Sequence, residues 1–327
     1  MQAKSGVKKR GGITVGQFFI RFRTIIILIV IMGIFTALND VFINPINLLN
    51  MLKRQSFVFI VGFGMTFVIT LAGLDLSVGG VAAITGVGFS MLVKGGLMPI
   101  VPALLIMLVV ALALGFFNGF VSVKGKIEPF LVTLATMNIF RGLALILSEG
   151  RPTPIVVEGF ADFFGNGKIG GVFPTPVVFV IVLFAATWFL YKKTKFGFYV
   201  RCIGGNQEAA RVAGIKVNFI KITAYTLNAF YAFVAGLILA ALFNSGNPDL
   251  GKDLPLDAIS GVILGGTAIS GGNGRIWGTF GGCLIIAALS SGMSLLSLPY
   301  SYQIVVKGAV IILAMLLDNY LKARSNE

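Results

Sequence analysis

The sequence places a single carboxylate inside a long apolar run. Asp75 is the only charged residue between Ser56 and Val93, and it lies in the stretch "TLAGLDLSVGGVAAI" (70–84). Asp75 and Ser77 can each accept hydrogen bonds from the backbone N–H groups that open a following helix, which would make them helix caps. The alternative is a broken helix that lines a polar path, with Asp75 facing or gating a solute.

A polar and aromatic stripe lies in the apolar segment 219–243. Tyr225, Asn228 and Tyr231 recur at i, i+3 and i+6. At about 100° per residue, they fall within one third of the helix circumference. Such a stripe faces either a water-filled path or a neighbouring helix, to which its polar groups bind. The sequence leaves both interpretations open.

Two cations, Arg141 and Lys307, lie within apolar segments. Asn138 and Arg141 are three residues apart in 129–148 and share one helix face. An Arg inside a membrane span indicates a functional role by default, although a structural pair with a carboxylate or with backbone carbonyls explains it as well. Lys307 is expected to extend its ammonium outward to the membrane surface. Asn118 is a further polar candidate.

The composition excludes several kinds of site. The chain has no His, and Cys202 and Cys283 fit no zinc or CxxC spacing. Paired carboxylates, HExxH and nucleophile motifs are missing too, so we predict no catalytic residue, no metal and no cofactor. The net charge of +14 comes from basic residues that lie between apolar blocks. Such residues typically set topology beside anionic lipid, so no nucleic-acid partner is expected.

The elements that must position these side chains are membrane helices. The 327 residues are 57% hydrophobic and 12% charged, with a mean hydropathy of +0.95, whereas soluble domains carry about 25% charged residues. A spanning helix needs about 20 mainly apolar residues. We therefore predict an all-α polytopic membrane protein with about ten transmembrane helices, at 24–42, 55–73, 77–93, 99–120, 129–148, 174–191, 219–243, 256–271, 276–296 and 302–320.

The distribution of Lys and Arg predicts the orientation of these spans. The basic, acid-free segment 1–23 and the basic stretch 192–218 are expected in the cytoplasm. The loop 149–173 is acidic on balance and is expected outside. Lys53 and Arg54 also fall outside and are the main exception to this pattern.

Both termini are then cytoplasmic. They comprise the segment 1–23 and the tail 321–327, and they flank a transmembrane domain at 24–320. Two stretches resemble each other, because "GLDLSVGGVAAITGVGF" and "LDAISGVILGGTAISGGNG" both place closely spaced Gly and Ser after an acid. Two sets of five spans would form inverted repeats, a transporter signature when Gly interrupts the helices.

A short helix is predicted in the cytoplasmic stretch 192–218. Gly204 and Gly205 precede Asn206, which is a good N-cap. Residues 207–213 read as the helix, and Gly214 is suited to end it as the C′ residue.

The surface of this helix allows two interpretations. Glu208 in the first turn and Arg211 near the end both favour the helix dipole. Small residues leave one side smooth, namely Ala209, Ala210 and Ala213. The segment either docks in a groove of another protein or is a basic loop that only holds the topology.

Several motifs together resemble one known family. "GGNQEAARVAGI" (204–215) is similar to the cytoplasmic coupling segment of permease subunits in bacterial ABC importers for monosaccharides, the ribose type. "GLDLSVG" (73–79) is similar to a second hallmark of that family. "LDAISGVILGGTAISGGNGRIWGT" (256–279) and the following "YQIVVKGAVIILAMLLDN" (302–319) resemble a third. The resemblance covers nearly the whole chain, with the motifs in the same order.

The resemblance implies an importer subunit in the bacterial inner membrane. Two permease subunits, a homodimer or two related chains, would form the pathway, a cytoplasmic ABC ATPase would drive it, and an external sugar-binding protein would deliver a monosaccharide. The chain itself has no "GxxxxGK[ST]" motif and is not expected to be an enzyme. By the same resemblance, the residues that would couple the ATPase to the spans are Gly204, Gly205, Asn206, Glu208, Ala209, Ala210, Arg211 and Gly214.

The sequence is also compatible with other kinds of transporter. Related permeases for nucleosides or other small polar solutes share the architecture. An ion-driven secondary transporter would need acids in its spans, and Asp75 is nearly the only one. The acids of 244–257, which are Asp249, Asp253 and Asp257, either help 149–173 to dock the external binding protein or simply lie in solvated loops.

Overall fold

The computed structural model describes residues 15–325, which are mainly helical. The rest of the predicted terminal segments, 1–14 and 326–327, lies outside the described residues. The α-helices within 15–325 are α1 Val15–Leu38, α2 Pro45–Thr70, α3 Val78–Val93, α4 Ile100–Lys124, α5 Pro129–Leu147, α6 Thr175–Lys193, α7 Lys195–Gly205, α8 Gln207–Val212, α9 Val217–Leu242, α10 Leu254–Leu264, α11 Ile276–Leu295 and α12 Tyr300–Ser325. Four short strands form two antiparallel pairs. One pair is β1 Thr153–Pro154 with β4 Ser245–Gly246, and the other is β2 Lys168–Ile169 with β3 Phe173–Pro174.

The prediction of a helical, polytopic membrane protein is confirmed. Within the described part of the chain, seven helical segments are long and apolar enough to cross a membrane, namely α2, Val78–Gly96, α4, α5, α6, α9 and α11. Three further apolar stretches are shorter, at Phe22–Leu38, Leu254–Leu264 and Tyr300–Leu313. The count of about ten spans therefore stays a prediction.

The predicted span 256–271 is only half a helix. Its helix, α10, has 11 residues and is about 16 Å long, whereas the hydrocarbon core of a bilayer is about 30 Å thick. The helix ends at Gly265, which packs so closely on Gly278 that a Cβ would overlap the Gly278 backbone. Gly266 then adopts a φ of +89°, which favours glycine and turns the chain out of the helix.

The two central helices, α2 and α9, run antiparallel. At one end, the Lys53 ammonium of α2 donates to Asn166 Oδ1 at 3.0 Å, and Asn166 Nδ2 donates to the Ala241 carbonyl of α9 at 3.2 Å. At the other end, Phe67 of α2 and Val217 of α9 belong to one buried cluster that also includes side chains of α7 and α8. We call these two ends of the molecule the Asn166 end and the Asn206 end.

Small residues let the helices around this pair approach closely. A Cβ at Gly119 of α4 would lie 2.8 Å from the Ile222 Cα of α9, and Gly115 one turn earlier is just as close to Ala229. Close backbone approach through small residues four apart is the usual packing mode of membrane helices. The α4–α9 contact therefore fixes which face of α9 points to the centre.

The fold contains two similar broken-helix units. In the first unit, the 26-residue helix α2 is followed by the non-helical segment 71–77 and then by α3. In the second unit, the 26-residue helix α9 is followed by 243–253, which holds only β4 and turns, and then by α10. Each long helix packs against the short helix of the other unit, α2 against α10 and α9 against α3.

Candidate functional site

Asp75 lies at the centre of a buried polar network. The residue is 1% exposed. Its Oδ1 accepts hydrogen bonds from the Ser77 backbone N–H at 3.0 Å and the Ser77 hydroxyl at 2.6 Å. Its Oδ2 accepts from Asn228 Nδ2 at 2.9 Å. All these donors are uncharged, so the carboxylate is held by hydrogen bonds and not by an ion pair.

Two asparagine oxygens in this network have no partner. Asn118 Nδ2 of α4 donates to the Ser77 hydroxyl at 2.7 Å, which brings α4 into the network. The Oδ1 atoms of Asn118 and Asn228 are buried and accept no hydrogen bond from any described group. Leaving a buried polar atom unsatisfied costs about 1–3 kcal/mol. The network thus keeps two acceptors free at its centre.

Tyr225 separates this network from a cavity at the Asn206 end. Its hydroxyl is 3.5 Å from the Leu74 carbonyl oxygen and packs against Gly73, where a Cβ would overlap it. The cavity, of about 380 Å³, lies between the α4–α5 connection and the α8–α9 region, and Tyr225 lines it together with Glu128 and Lys221. Tyr225 therefore lies between the buried network and this cavity.

The capping prediction for the 75–77 stretch is met only in part by Asp75 and is wrong for Ser77. Asp75 accepts from the N–H of Ser77, the residue directly before α3, and so stabilises the turn that leads into the helix. The Ser77 hydroxyl instead donates to Asp75, and it makes no cap bond to the helix. Asp75 also reaches across to Asn228 of α9, so the capping geometry and the broken-helix geometry occur together.

The structure brings some of the predicted pathway residues together and leaves others apart. Asp75, Ser77, Tyr225 and Asn228 meet in one place. Tyr231, one turn beyond Asn228, is buried and shares a hydrogen bond of 2.6 Å between its hydroxyl and that of Thr187 on α6, so it lies outside this network.

The Asn138–Arg141 pair is also remote from the network. Asn138 is exposed and donates to the Leu134 carbonyl of its own helix at 3.2 Å. Arg141 forms an ion pair with Asp249 at 2.6 Å, which agrees with the structural interpretation of that cation.

The predicted capping of the short helix α8 is confirmed. Asn206 Oδ1 accepts from the Ala209 N–H at 2.9 Å, and Gly214 adopts a φ of +82° just beyond the helix. Glu208 and Arg211 form an exposed ion pair at 2.7 Å. The structure adds a second helix, α7, directly before α8, which the sequence analysis missed.

The smooth face expected on α8 is partly turned inward. Ala210 is buried in the cluster with Phe67 and Val217, so it anchors α8 to the spans and is not part of an exposed docking face. Ala209 and Ala213 remain exposed. The docking interpretation therefore rests on the exposed side, which also carries Glu208 and Arg211.

The α7–α8 segment contacts the first broken-helix unit directly. A Cβ at Gly204 would overlap the carbonyl oxygen of Thr70, the last residue of α2. The same carbonyl accepts a hydrogen bond of 2.9 Å from the Gly272 N–H, and Tyr191 accepts one of 2.9 Å from the Gly274 N–H. Thr70, Tyr191 and the 271–274 turn were not anticipated, because no local pattern marks residues that meet only in the folded chain.

The acids of 244–257 are used within the chain. Asp249 pairs with Arg141, and Asp253 accepts from the Tyr300 hydroxyl. Asp257 lies in α10 and pairs with Lys307 at 2.9 Å, with side chains 14% and 17% exposed. Lys307 therefore does not extend outward as expected, and Asp257 is not a free docking group.

Comparison with known proteins identifies the family. The family model described as "Branched-chain amino acid transport system / permease component" matches residues 47–315. The chain belongs to this permease family. It is 38% identical to the ribose import permease protein RbsC of Haemophilus influenzae, over 94% of this chain and 95% of that protein. It is 41% identical to the ribose import permease protein RbsC of Bacillus subtilis, over 91% of each chain.

Permeases for other sugars are related as well. The D-allose transport system permease protein AlsC of Escherichia coli is 32% identical over 97% of each chain. No solved structure gives a significant match. The chain is thus a permease of the sugar ABC importer family, a transport subunit of the bacterial inner membrane and not an enzyme.

Proposed function

We propose that this permease translocates a monosaccharide, a ribose-like pentose or a hexose, in an ATP-driven ABC importer. The similarity to ribose import permeases at 38–41% identity, above the 32% to the allose permease, favours ribose. In this proposal a cytoplasmic ABC ATPase drives transport, an external sugar-binding protein delivers the sugar, and two permease subunits, identical or related, form the pathway.

The orientation and the repeats are part of the proposal. We place the Asn206 end, with α7 and α8, in the cytoplasm because its segment 192–218 is basic. The segment 1–23 and the tail 321–327 then lie on the same side, flanking the transmembrane permease domain 24–320. The antiparallel α2 and α9, each followed by a break and a short helix, support inverted repeats.

The contact of Gly204 with Thr70 is the observation that carries the coupling mechanism. ATPase closure would push on α8, and Gly204 would transmit the displacement to the last carbonyl of α2. Segment 71–77 starts at that point and carries Asp75. The ATPase then shifts the equilibrium between two arrangements of the break, and the docked binding protein biases the same equilibrium.

The free acceptors near Asp75 suit a sugar. A monosaccharide is neutral and rich in hydroxyl donors, and the unpaired Oδ1 atoms of Asn118 and Asn228 are acceptors without donors. The Tyr225 ring offers an aromatic surface for a sugar face at the border of the cytoplasmic cavity. When the break opens, these groups would contact the passing sugar with only modest affinity, as transport requires.

An ion-driven mechanism has little support. Both oxygens of Asp75 already accept hydrogen bonds from Ser77 and Asn228, so a cation would have to displace neutral donors that fit well. Asp257, a largely shielded carboxylate among the described helices, is paired with Lys307.

Reconstitution tests the proposal. Proteoliposomes that contain this permease and its ATPase should take up radiolabelled ribose only when ATP is inside and the sugar-loaded binding protein is outside. Unlabelled ribose should compete better than allose, arabinose or xylose. Uptake by the permease alone on a sodium or proton gradient would contradict the proposal.

A charge reversal tests the coupling role of α8. Glu208→Lys removes the exposed ion pair with Arg211 and places a cation on the proposed docking face. We expect ATP hydrolysis without matched sugar uptake, while Asp40→Lys, a matched reversal in the exposed turn between α1 and α2, leaves the ratio of uptake to hydrolysis unchanged. An unchanged ratio in both variants would contradict the assignment.

A further inference from the structure

The Asn166 end carries a group of cations that no carboxylate neutralises. Lys53 donates to the amide oxygen of Asn166 at 3.0 Å. Arg54 and Lys168, both positively charged, lie close enough to Lys53 to repel its ammonium. In the part of the chain that the structure describes, none of these three cations forms an ion pair with an acid. We call Lys53, Arg54 and Lys168 the basic group.

A cavity opens beside the basic group. It has a volume of about 540 Å³ and lies between the start of α2 and the end of α9. Lys53 and Arg54 line it, together with the polar side chains of Asn50, Gln55 and Asn166. Its lining contains two cations and no acid. It is large enough to take a carboxylate side chain from another molecule, and its charge suits one.

Three acids at the same end, unlike these cations, already have partners within the chain. Asp249, Asp253 and Asp257 are bound to Arg141, Tyr300 and Lys307 within the chain. These three anions are therefore occupied, whereas none of the cations of the basic group pairs with an acid among the described residues. A partner that docks by charge at this cavity must bring acids.

The placement of these cations opposes the ordinary charge rule of membrane proteins. Lys and Arg within about 15–20 residues of a span favour the cytoplasmic side, yet Lys53 and Arg54 lie at the end opposite α8. Their mutual repulsion adds a further cost at such short range. A partner with carboxylates would relieve this repulsion.

We propose that the basic group and its cavity are a docking site for acidic side chains of the external sugar-binding protein. This inference rests on the proposed function, which supplies such a partner and places the Asn166 end outside. Complementary charge speeds the encounter and fixes the register of two surfaces. A carboxylate that enters the cavity would contact Lys53 at the start of α2, the helix that ends at the Asp75 break.

The test measures uptake against the concentration of the binding protein. Proteoliposomes of neutral lipid would contain the full permease with its ATPase, and the binding protein of the same transport system, loaded with ribose, would be added outside. For Lys53→Glu/Arg54→Glu we expect the half-saturating concentration to rise about tenfold, with the uptake rate at saturation unchanged. The difference from wild type should shrink as salt is raised, because salt screens charges at the surface.

Controls separate docking from other effects. Lys94→Glu is the matched control, since Lys94 is also an exposed cation and does not line the cavity. It lies in the α3–α4 connection, close to Met91, which contacts Thr153 of β1. This variant should leave half-saturation unchanged. Insertion is not at risk, because the double variant removes positive charge from the outer side. The neutral variant Lys53→Gln/Arg54→Gln should give an intermediate shift.

Each outcome decides between the claims. Equal half-saturation in wild type and the double variant would overturn the docking site and leave the proposed function standing. A shift that appears only when the liposomes contain anionic lipid would overturn it too, since the cavity would then bind a lipid headgroup. A wild-type permease that never responds to the binding protein would overturn the proposed function, and the docking site with it.

Discussion

The two broken-helix units carry the same sequence pattern but hold their acids in opposite ways. Asp75 of the first unit accepts from neutral donors, Ser77 and Asn228, beside two unpaired amide oxygens. Asp257 of the second unit is locked to a cation, Lys307. Separating a nearly buried ion pair leaves an uncompensated charge, whereas the two unpaired amide oxygens beside Asp75 offer its neutral donors alternative partners. We therefore expect the first unit to rearrange more readily than the second.

The contacts at the ends of the units agree with this difference. The second unit is tied to its surroundings at the Asn166 end by Asp249, Asp253 and Asp257. The first unit touches the α7–α8 segment through Thr70 and Gly204. A displacement of α8 thus reaches the neutral network before it reaches the ion pairs.

The largest expected effect is on the locked unit. Lys307→Met leaves the carboxylate of Asp257 buried without its cation and should lower the free energy of unfolding by about 3 kcal/mol. Thermal unfolding of the purified protein in detergent measures it. The double variant Asp257→Asn/Lys307→Met should recover most of the loss, because it removes the uncompensated charge. A single variant as stable as wild type would show that the pair locks nothing.

A glycine pair tests the link to the flexible unit. Gly204→Ala places a methyl group against the Thr70 carbonyl and should cost about 2 kcal/mol in strain and displacement of α2. Uptake per ATP hydrolysed should fall clearly. Gly142 of α5 has open space around its Cβ position. Gly142→Ala is therefore the matched control, and equal coupling ratios in the two variants would rule out transmission through this contact.

Asp75→Asn separates the two roles of the first carboxylate. The new amide keeps an oxygen for Ser77, and Asn228 can rotate its side chain so that its unpaired Oδ1 accepts from the new amide. We expect a stability loss of only about 1 kcal/mol. Uptake should fall about tenfold, because a neutral amide holds these bonds roughly half as strongly as a carboxylate. Asp40→Asn, in an exposed turn, is the control, and normal uptake by Asp75→Asn would leave capping as its only role.

The smallest effect is expected at the exposed ion pair of the second unit. Arg141 and Asp249 are 40% and 65% exposed, so Arg141→Gln should cost less than about 1 kcal/mol. Thermal unfolding at low and high salt measures this contribution. A loss of stability as large as that of Lys307→Met would mean that the Arg141–Asp249 pair also holds the second unit in place.

The sequence by itself determined features that depend on neighbouring residues. Apolar segments of helical length located the helices, although it was the glycines at 265–266 that shortened α10. The Asn206 cap and the Gly214 terminus were predictable because both act within one helical turn. Among the α-helices of residues 15–325, only α7 was not predicted, since its basic and glycine residues resemble a loop.

Only the tertiary structure decided which polar groups meet. Asn228 reaches Asp75 across 153 positions, and Lys307 reaches Asp257 across 50. The sequence offered Lys307 as a snorkelling cation and Ser77 as a cap, because nothing local reveals a partner on another helix. Capping and periodicity are set by energies within a few residues. Pairing inside the bundle is set by how closely glycine-bearing faces such as that of α4 let the helices approach, and this depends on the whole fold.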